Sequence, residues 1–388
     1  MKILIVRTFP NILNLNAYNV QEIGLAKALA YKGIECGVVF YNGRNDDREE
    51  CFTFTKDGRE YGFTVYWLKG FGFFKNGFMP SVYKLRKKYD VIQVHEYDQI
   101  FSWMLYTRMK KPTVIYHGPY YHEYAKGYNL KCRVFDTLFL PWRKHDQVVA
   151  LAKSELARDF LLTKGFSRVH TVGVGVDADN FSLQEEEMPA CSIKEDRTKF
   201  RLLYVGKIEE RRNIYFLVEL FEKLLKKSDN IQLVIVGDGE PEYLRAFLNR
   251  IDPLIKKGQI LYLQKATQKE LAVIYKRVNL FVFTSNYEIF GMVLLEALYF
   301  GLPVISTSNG GASVLLKDGP AGYIMKEFDT DAWNEKITML MKNTQLYQEM
   351  SLKAHDLIER HYLWDSLVDK FIEGYKEAIE SWEREKKK

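Results

Sequence analysis

Short apolar runs alternate with amphipathic stretches along most of this chain, a pattern that predicts parallel sheets with helices on both faces. In the first half the runs Ile3–Val6, Gly37–Phe40, Val65–Leu68, Val91–His95, Thr113–Tyr116, Gln147–Leu151 and Val169–Val172 read as strands. In the second half Leu202–Val205, Gln232–Val236, Ile260–Leu263, Leu280–Thr284 and Val304–Ser306 do the same. Helical spacing of apolar positions predicts helices such as Val20–Tyr31, Leu217–Lys227 and Glu242–Ile251. The pattern breaks once, between Ser182 and Arg197, where Glu185-Glu186-Glu187 and Pro189 stand among scattered charges without periodicity. That segment reads as a link between domains. The expected organisation is a first α/β domain over 1–181, a linker over 182–197, a second α/β domain over 198–363 and a charged amphipathic helix over 364–388.

The length supports this division, because 388 residues exceed one ordinary core and fit two domains of about 190 residues each. No apolar run approaches the roughly eighteen residues that a membrane-spanning helix needs. Met1–Val6 reads as a first strand rather than a signal peptide, since Arg7 and Pro10 interrupt it early. Cys36, Cys51, Cys132 and Cys191 have neither paired nor metal-type spacing, which suggests a reducing compartment and hence the cytoplasm. A net charge of +6 is modest. Without a basic stripe or a known binding motif, nucleic acid is not the expected partner.

Candidate chemistry concentrates in the stretch Thr284-Ser285-Asn286-Tyr287-Glu288-Ile289-Phe290-Gly291-Met292-Val293-Leu294-Leu295-Glu296. A buried strand leads into a loop, a glycine turn and an apolar helix start, with one acid before the turn and one inside the helix. A helix start exposes backbone N–H groups and a positive dipole end, which suits an anion. Carboxylates on either side can accept hydrogen bonds from sugar or ribose hydroxyls. Lys207 and Arg212 stand five apart on the loop after another strand, where two cations can reach two phosphate oxygens.

The spacing of Glu288 and Glu296 resembles the E-x7-E signature of retaining glycosyltransferases with the GT-B fold, the glycosyltransferase group 1 or family 4-like enzymes. Gly301-Leu302-Pro303-Val304-Ile305, Asn309-Gly310-Gly311 and Gly319-Pro320-Ala321-Gly322-Tyr323 follow in the family's order. Upstream, Tyr204-Val205-Gly206-Lys207-Ile208-Glu209-Glu210-Arg211-Arg212-Asn213 resembles the donor-phosphate loop, and Val234–Gly239 the strand end after it. The resemblance implies two Rossmann-like domains facing each other across a cleft, with the C-terminal helix crossing back to the first. It implies a nucleotide-diphosphate sugar as donor substrate, no cofactor and no metal. Asp177-Ala178-Asp179 matches a family segment at the domain junction, and Asp329-Thr330-Asp331 reads as a helix cap.

By resemblance Glu288 touches the transferred sugar and Glu296 the ribose hydroxyls. Backbone groups of Ile289, Phe290, Gly291, Met292 and Val293 lie near sugar and phosphate. Gly206, Lys207 and Arg212 handle the diphosphate, while Gln264 and Lys265 frame the base. His117, at a strand end before Gly118-Pro119, matches a family histidine at the donor sugar. Two departures stand out. The first βα loop, with Asn16, lacks the paired glycines of the family, which asparagines can replace in unusual backbone conformations. Val314 also stands where the family commonly has glutamate. The first domain is expected to recognise the acceptor through His95, Glu96 and Tyr120. Its aromatic loop Phe71–Pro80 and the cluster Lys84-Leu85-Arg86-Lys87-Lys88 fit an anionic lipid surface. These readings imply transfer of a hexose-type sugar from a UDP- or GDP-linked donor to a saccharide or lipid-linked saccharide in surface glycan biosynthesis. The location is then cytoplasmic or peripheral on the inner face of the plasma membrane. The alternative is a catalytically silent partner subunit that binds nucleotide sugar or glycan.

Overall fold

In the computed structural model, residues 1–15, 20–73, 75–108, 110–140, 148–181, 196, 198–317 and 319–387 are described. Asn16 and most of the 182–197 linker lie outside them. The chain forms two compact units, one of Met1–Val176 with Trp364–Lys388 and the other of Asp177–Leu363. The change of unit therefore falls at Val176 rather than at residue 181. Phe181 explains the difference, because its ring packs on Tyr299 and Phe300 of the second unit (centroids 5.4 and 5.3 Å).

The first unit is built on β1 (Lys2–Val6), β2 (Glu35–Tyr41), β3 (Arg48–Lys56), β4 (Arg59–Leu68), β5 (Phe71–Phe73), β6 (Asn76–Phe78), β7 (Val91–His95), β8 (Thr113–His117), β9 (Val149–Ala152) and β10 (Arg168–Thr171). Its helices are α1 (Gln21–Tyr31), α2 (Val82–Leu85), α3 (Ile100–Arg108), α4 (Lys126–Phe139) and α5 (Glu155–Thr163). An eight-stranded sheet runs β10-β9-β8-β7-β1-β2-β4-β3, parallel except for β3. β5 and β6 form a separate hairpin where the sequence suggested an apolar loop. The central strands are buried along their whole length, as continuous apolar runs in a doubly covered sheet should be. The C-terminal helix Trp364–Lys386 seals one face of this sheet. Phe371 meets Tyr116 at 5.2 Å, and the buried Tyr375 hydroxyl donates to Gln93 Oε1 (2.6 Å).

The second unit holds β11 (Phe200–Val205), β12 (Ile231–Val236), β13 (Ile260–Leu263), β14 (Leu280–Phe283), β15 (Val304–Thr307) and β16 (Gly322–Met325), in the order β13-β12-β11-β14-β15-β16. All pairs are parallel. Its helices are α6 (Ile214–Leu225), α7 (Pro241–Lys256), α8 (Gln268–Lys276), α9 (Met292–Tyr299), α10 (Ala312–Leu315), α11 (Thr330–Lys342) and α12 (Thr344–His361). Local sequence sets several starts: Thr267 and Glu270 close a capping box on α8, and Asp329 caps α11. In each sheet the strand order reverses at one place, between β1 and β7 and between β11 and β14. Open α/β sheets bind ligands beyond the strand ends at such points.

Candidate active site

In the second unit the loops after β11, β12, β13 and β14 meet. Gly237 is there because the β11 and β12 loops touch: a Cβ on it would stand 1.8 Å from the Gly206 carbonyl oxygen. The ends of β11, β12 and β13 line a pocket of about 530 Å³ that includes Gly206, Lys207, Asp238, Gly239, Gln264 and Lys265. That volume falls in the ordinary range for small-molecule sites. Four expected donor residues are thus brought together. Asp238, at the end of the Val234–Gly239 segment, organises the wall. It accepts from Gln264 Nε2 (3.0 Å) and the Gly239 N–H (2.9 Å), and Lys265 Nζ lies 3.6 Å away. The Gln264 bond, with help from Gly239, holds the Asp238 carboxyl below its usual range.

Beyond Lys207 the chain makes a 3-10 turn, Glu210–Arg212, and enters α6 through Asn213 in the left-handed region (φ 48°). This turn is stitched to the β14 loop. The Asn286 N–H donates to the Arg211 carbonyl (2.9 Å), the Thr284 hydroxyl to the Arg212 carbonyl (2.7 Å), and Arg211 Nη1 to the Tyr287 carbonyl (2.6 Å). Arg212 Nη1 donates to Ser285 Oγ (3.1 Å) and pairs with the Glu288 carboxylate. Glu209 sits beside both guanidiniums, 2.7 Å from Arg211 and 3.6 Å from Arg212. Two anions therefore balance Arg211 and Arg212, while Lys207 is exposed and has no carboxylate partner among the described residues. Lys207 is the uncompensated charge of the loop. Ser285, which the sequence reading passed over, tethers Arg212; only its place beside Thr284 at the strand end hinted at that.

Gly291 opens α9, with Met292 and Val293 half-exposed in its first turn and Ile289 half-exposed just before. Phe290 is buried. Gly311 packs under this turn, where a Cβ would stand 1.5 Å from the Phe290 carbonyl oxygen. Glu296, expected by resemblance at the ribose hydroxyls, follows in the second turn of α9. It is fully buried within α9's inner face, and one carboxylate oxygen accepts from the Tyr275 hydroxyl (2.9 Å). The other oxygen has no partner among the described residues. Burial raises its pKa well above the normal value, so it rests as a neutral acid. A residue five positions into a short helix points at the neighbouring core, which the E-x7-E spacing alone does not reveal.

The first unit gathers a second charged group at the ends of β1, β7 and β8. Glu96 occupies the left-handed region (φ 60°), an uncommon conformation for a residue with a side chain. Its Oε2 lies 2.5 Å from His117 Nδ1 and accepts from the Gly118 N–H (3.3 Å). Burial alone would raise the Glu96 pKa. The His117 charge and contact, with Lys153 and Gly118, outweigh that and hold it at about 2. His117 itself is completely buried, stacked on Phe160 (5.6 Å) and edge-on to Tyr97 (5.3 Å). It is thus a packed partner of Glu96 and presents no surface to a sugar in this state. His95 and Tyr120, expected with Glu96 toward the acceptor, are buried too. Burial lowers the His95 pKa to about 4, leaving the ring neutral at pH 7 beside Glu22 (3.6 Å). Glu22 in turn meets Arg7 Nε (3.3 Å). Asp98, 2.9 Å from Lys131 Nζ, completes a group with Glu96 and His117 whose ligand atoms lie within 4.8 Å of one another. Of the two Asp-x-Asp segments, Asp177 accepts from the Asp179 N–H (3.2 Å) and Asp329 from the Asp331 N–H (2.8 Å), each closing a turn.

Comparison with known proteins decides the family. The sequence model described as Glycosyl transferases group 1 matches residues 188–356, and that of Glycosyltransferase Family 4 matches residues 23–180. The chain belongs to the group 1 glycosyltransferases. A phosphatidyl-myo-inositol mannosyltransferase of Mycobacterium leprae is 24% identical over 78% of this chain and 79% of its own length. A probable sucrose-phosphate synthase of Thermosipho melanesiensis is 29% identical over 45% of this chain, and the match spans only 41% of that relative. For a D-inositol 3-phosphate glycosyltransferase of Gordonia bronchialis the corresponding share is 48%. Among solved structures, sucrose-phosphate synthase from Thermosynechococcus elongatus superposes with a TM-score of 0.70 at 15% identity, covering 98% of this chain and 99% of that one. Anabaena HepE in complex with UDP and glucose gives 0.65 at 15% identity, covering 97% and 100%. The glycosyltransferase thus has the GT-B fold. Among its described residues no helix is long and apolar enough to cross a membrane.

Proposed function

We propose that this chain is a retaining, metal-independent glycosyltransferase that moves a hexose-type sugar from a UDP- or GDP-linked donor to a saccharide or lipid-linked saccharide. The observation that carries the reading is the 530 Å³ pocket of the second unit with Lys207 as its unpaired cation. Diphosphate departure needs fixed positive charge, and Lys207 with Arg212 supplies it in the position where a metal would otherwise act. Arg212 must leave Glu288, or share it, to reach a phosphate. Glu288 would then be released toward the sugar hydroxyls. The UDP and glucose bound by HepE support a nucleotide-diphosphate hexose as donor, and the mannosyltransferase likeness keeps a lipid-borne acceptor in view. No protein nucleophile is invoked, so the leaving phosphate would take the acceptor proton. A role in surface glycan assembly follows from such an acceptor, on the cytoplasmic side, where exposed Lys84, Arg86, Lys87 and Lys88 would face anionic lipid.

The test is nucleotide release from a panel of nucleotide sugars, with and without saccharide acceptors and with a chelator present. Acceptor-dependent release that survives the chelator supports the proposal. Donor binding without release under any acceptor would instead favour the silent partner subunit. Flotation with anionic vesicles at low salt tests the membrane reading, and protein left in the dense fraction would sink it.

A further inference from the structure

The ends of β7 and β8 hold ligand-type side chains that the donor pocket of the second unit does not use. Glu96, Asp98 and His117 are all buried, and one ligand atom from each lies within 4.8 Å of the others. The pairing of His95 with Tyr116 sets the next residues of the two strands, Glu96 and His117, side by side. Two acceptors of this group have no partner among the described residues, Asp98 Oδ1 and His117 Nε2. A buried acceptor in that state costs free energy that a cation would recover. Asp98 engages its other oxygen, Oδ2, with Lys131 Nζ (2.9 Å) and the Cys132 thiol (3.5 Å). Glu96 Oε2 faces His117 Nδ1 and favours the tautomer with its proton there, which leaves the Nε2 lone pair available. A carboxylate behind an imidazole is also the usual support of a metal-bound histidine.

We propose that Glu96, Asp98 and His117 form a site for one divalent transition ion of the zinc type. One imidazole with two carboxylates is a mixed nitrogen and oxygen set. It suits Zn²⁺ or Mn²⁺ better than Mg²⁺ or Ca²⁺, whose sites are built from oxygen. Lys131 sets the terms of binding. Its side chain is 30% exposed while that of Asp98 is 0% exposed, so the ammonium can swing to solvent and yield its place to an ion. Without the ion, Lys131 keeps Asp98 compensated, and the fold does not depend on metal. With the ion, the ends of β7 and β8 are tied together and Glu96 is held in its left-handed backbone (φ 60°). The site belongs to the first unit, so it stands apart from the metal-independent donor chemistry proposed for the second.

The probe is Zn²⁺ alone, titrated calorimetrically into the full chain, with Asp98→Asn and Lys131→Met beside the wild type. One saturable equivalent is expected in the wild type. Asp98→Asn should weaken it at least tenfold. Lys131→Met removes the competing charge and should tighten it at least tenfold, a gain that misfolding cannot produce. Cooperative melting of each variant shows that it is folded. Co²⁺ in place of Zn²⁺ should develop visible absorption, with the same order of affinity across the three proteins. No ion binding to the wild type overturns the assignment, and so does binding by Lys131→Met alone, which would make the ammonium the permanent occupant. Equal binding by all three proteins also overturns it, because surface groups such as the exposed Cys51 would then hold the ion.

Discussion

At the scale of the residue, charge pairing decides what each group can do. Lys207 is the cation left for the diphosphate, so Lys207→Ala should weaken nucleoside-diphosphate binding by about one to two orders of magnitude, as loss of a charge-assisted contact of roughly 1.5–3 kcal/mol implies. Titration calorimetry would measure it. Glu288 competes with phosphate for Arg212, so Glu288→Gln should bind free UDP or GDP several-fold more tightly while transferring sugar more slowly. Equal affinity would mean that the pair does not open. Glu296 is buried as a neutral acid with a raised pKa, against an unfolded value near 4.5. Below that value both states are protonated. As pH rises the unfolded chain ionises first, so this residue's contribution to stability is lost toward alkaline pH. The melting temperature of Glu296→Gln relative to wild type should therefore climb from pH 5 to pH 9. Glu96 has the opposite sign. Its folded pKa of about 2 lies below 4.5, so its contribution is present above pH 4.5 and lost as pH falls toward 2. Glu96→Gln should flatten acid unfolding in that window.

At the scale of the element, buried parallel strands were the most legible part of the chain. Val91–His95 and Ile260–Leu263 coincide with β7 and β13, and the other ten predicted strands overlap observed ones, although Val65–Leu68 misses the first six residues of β4 and Gln147 lies outside the described residues. Continuous apolar runs betray a doubly covered sheet, whereas half-exposed edges do not. β3 reads Arg-Glu-Glu-Cys-Phe-Thr-Phe-Thr-Lys and is mostly exposed, so no apolar run marked it. Its signal lay in Asp57-Gly58, both at positive φ, which turn β3 back onto β4 as a two-residue hairpin. β16 and the β5–β6 hairpin are short and likewise incompletely covered. The donor loops were legible because glycine and charge cluster after strands. The burial of His117 was not, because it depends on Phe160 and Tyr97, which stand well apart from it in sequence. The C-terminal helix is part of the first unit's core, so Phe371→Ala should destabilise that unit by about 3–5 kcal/mol. Chemical denaturation would show it as a lower midpoint with nucleotide affinity retained.

At the scale of the whole molecule, the chain leaves the first unit after Val176 and returns to it at Trp364, while the second unit is continuous in sequence. The candidate donor pocket lies wholly in the continuous unit. Its ligand should therefore stabilise that unit, since a ligand acts only on the state that binds it. Scanning calorimetry should show nucleotide moving the unfolding component of that unit alone. The central claim is that Lys207 and its pocket bind a nucleotide-diphosphate sugar without metal. Thermal stabilisation across a panel of nucleotide sugars in chelator tests it most directly, with Lys207→Ala alongside. A donor at a hundred times its dissociation constant contributes about 2.7 kcal/mol, a visible shift. The account predicts that one donor shifts the wild type and that the shift largely disappears in Lys207→Ala. No shift with any donor, or a full shift in Lys207→Ala, would contradict it.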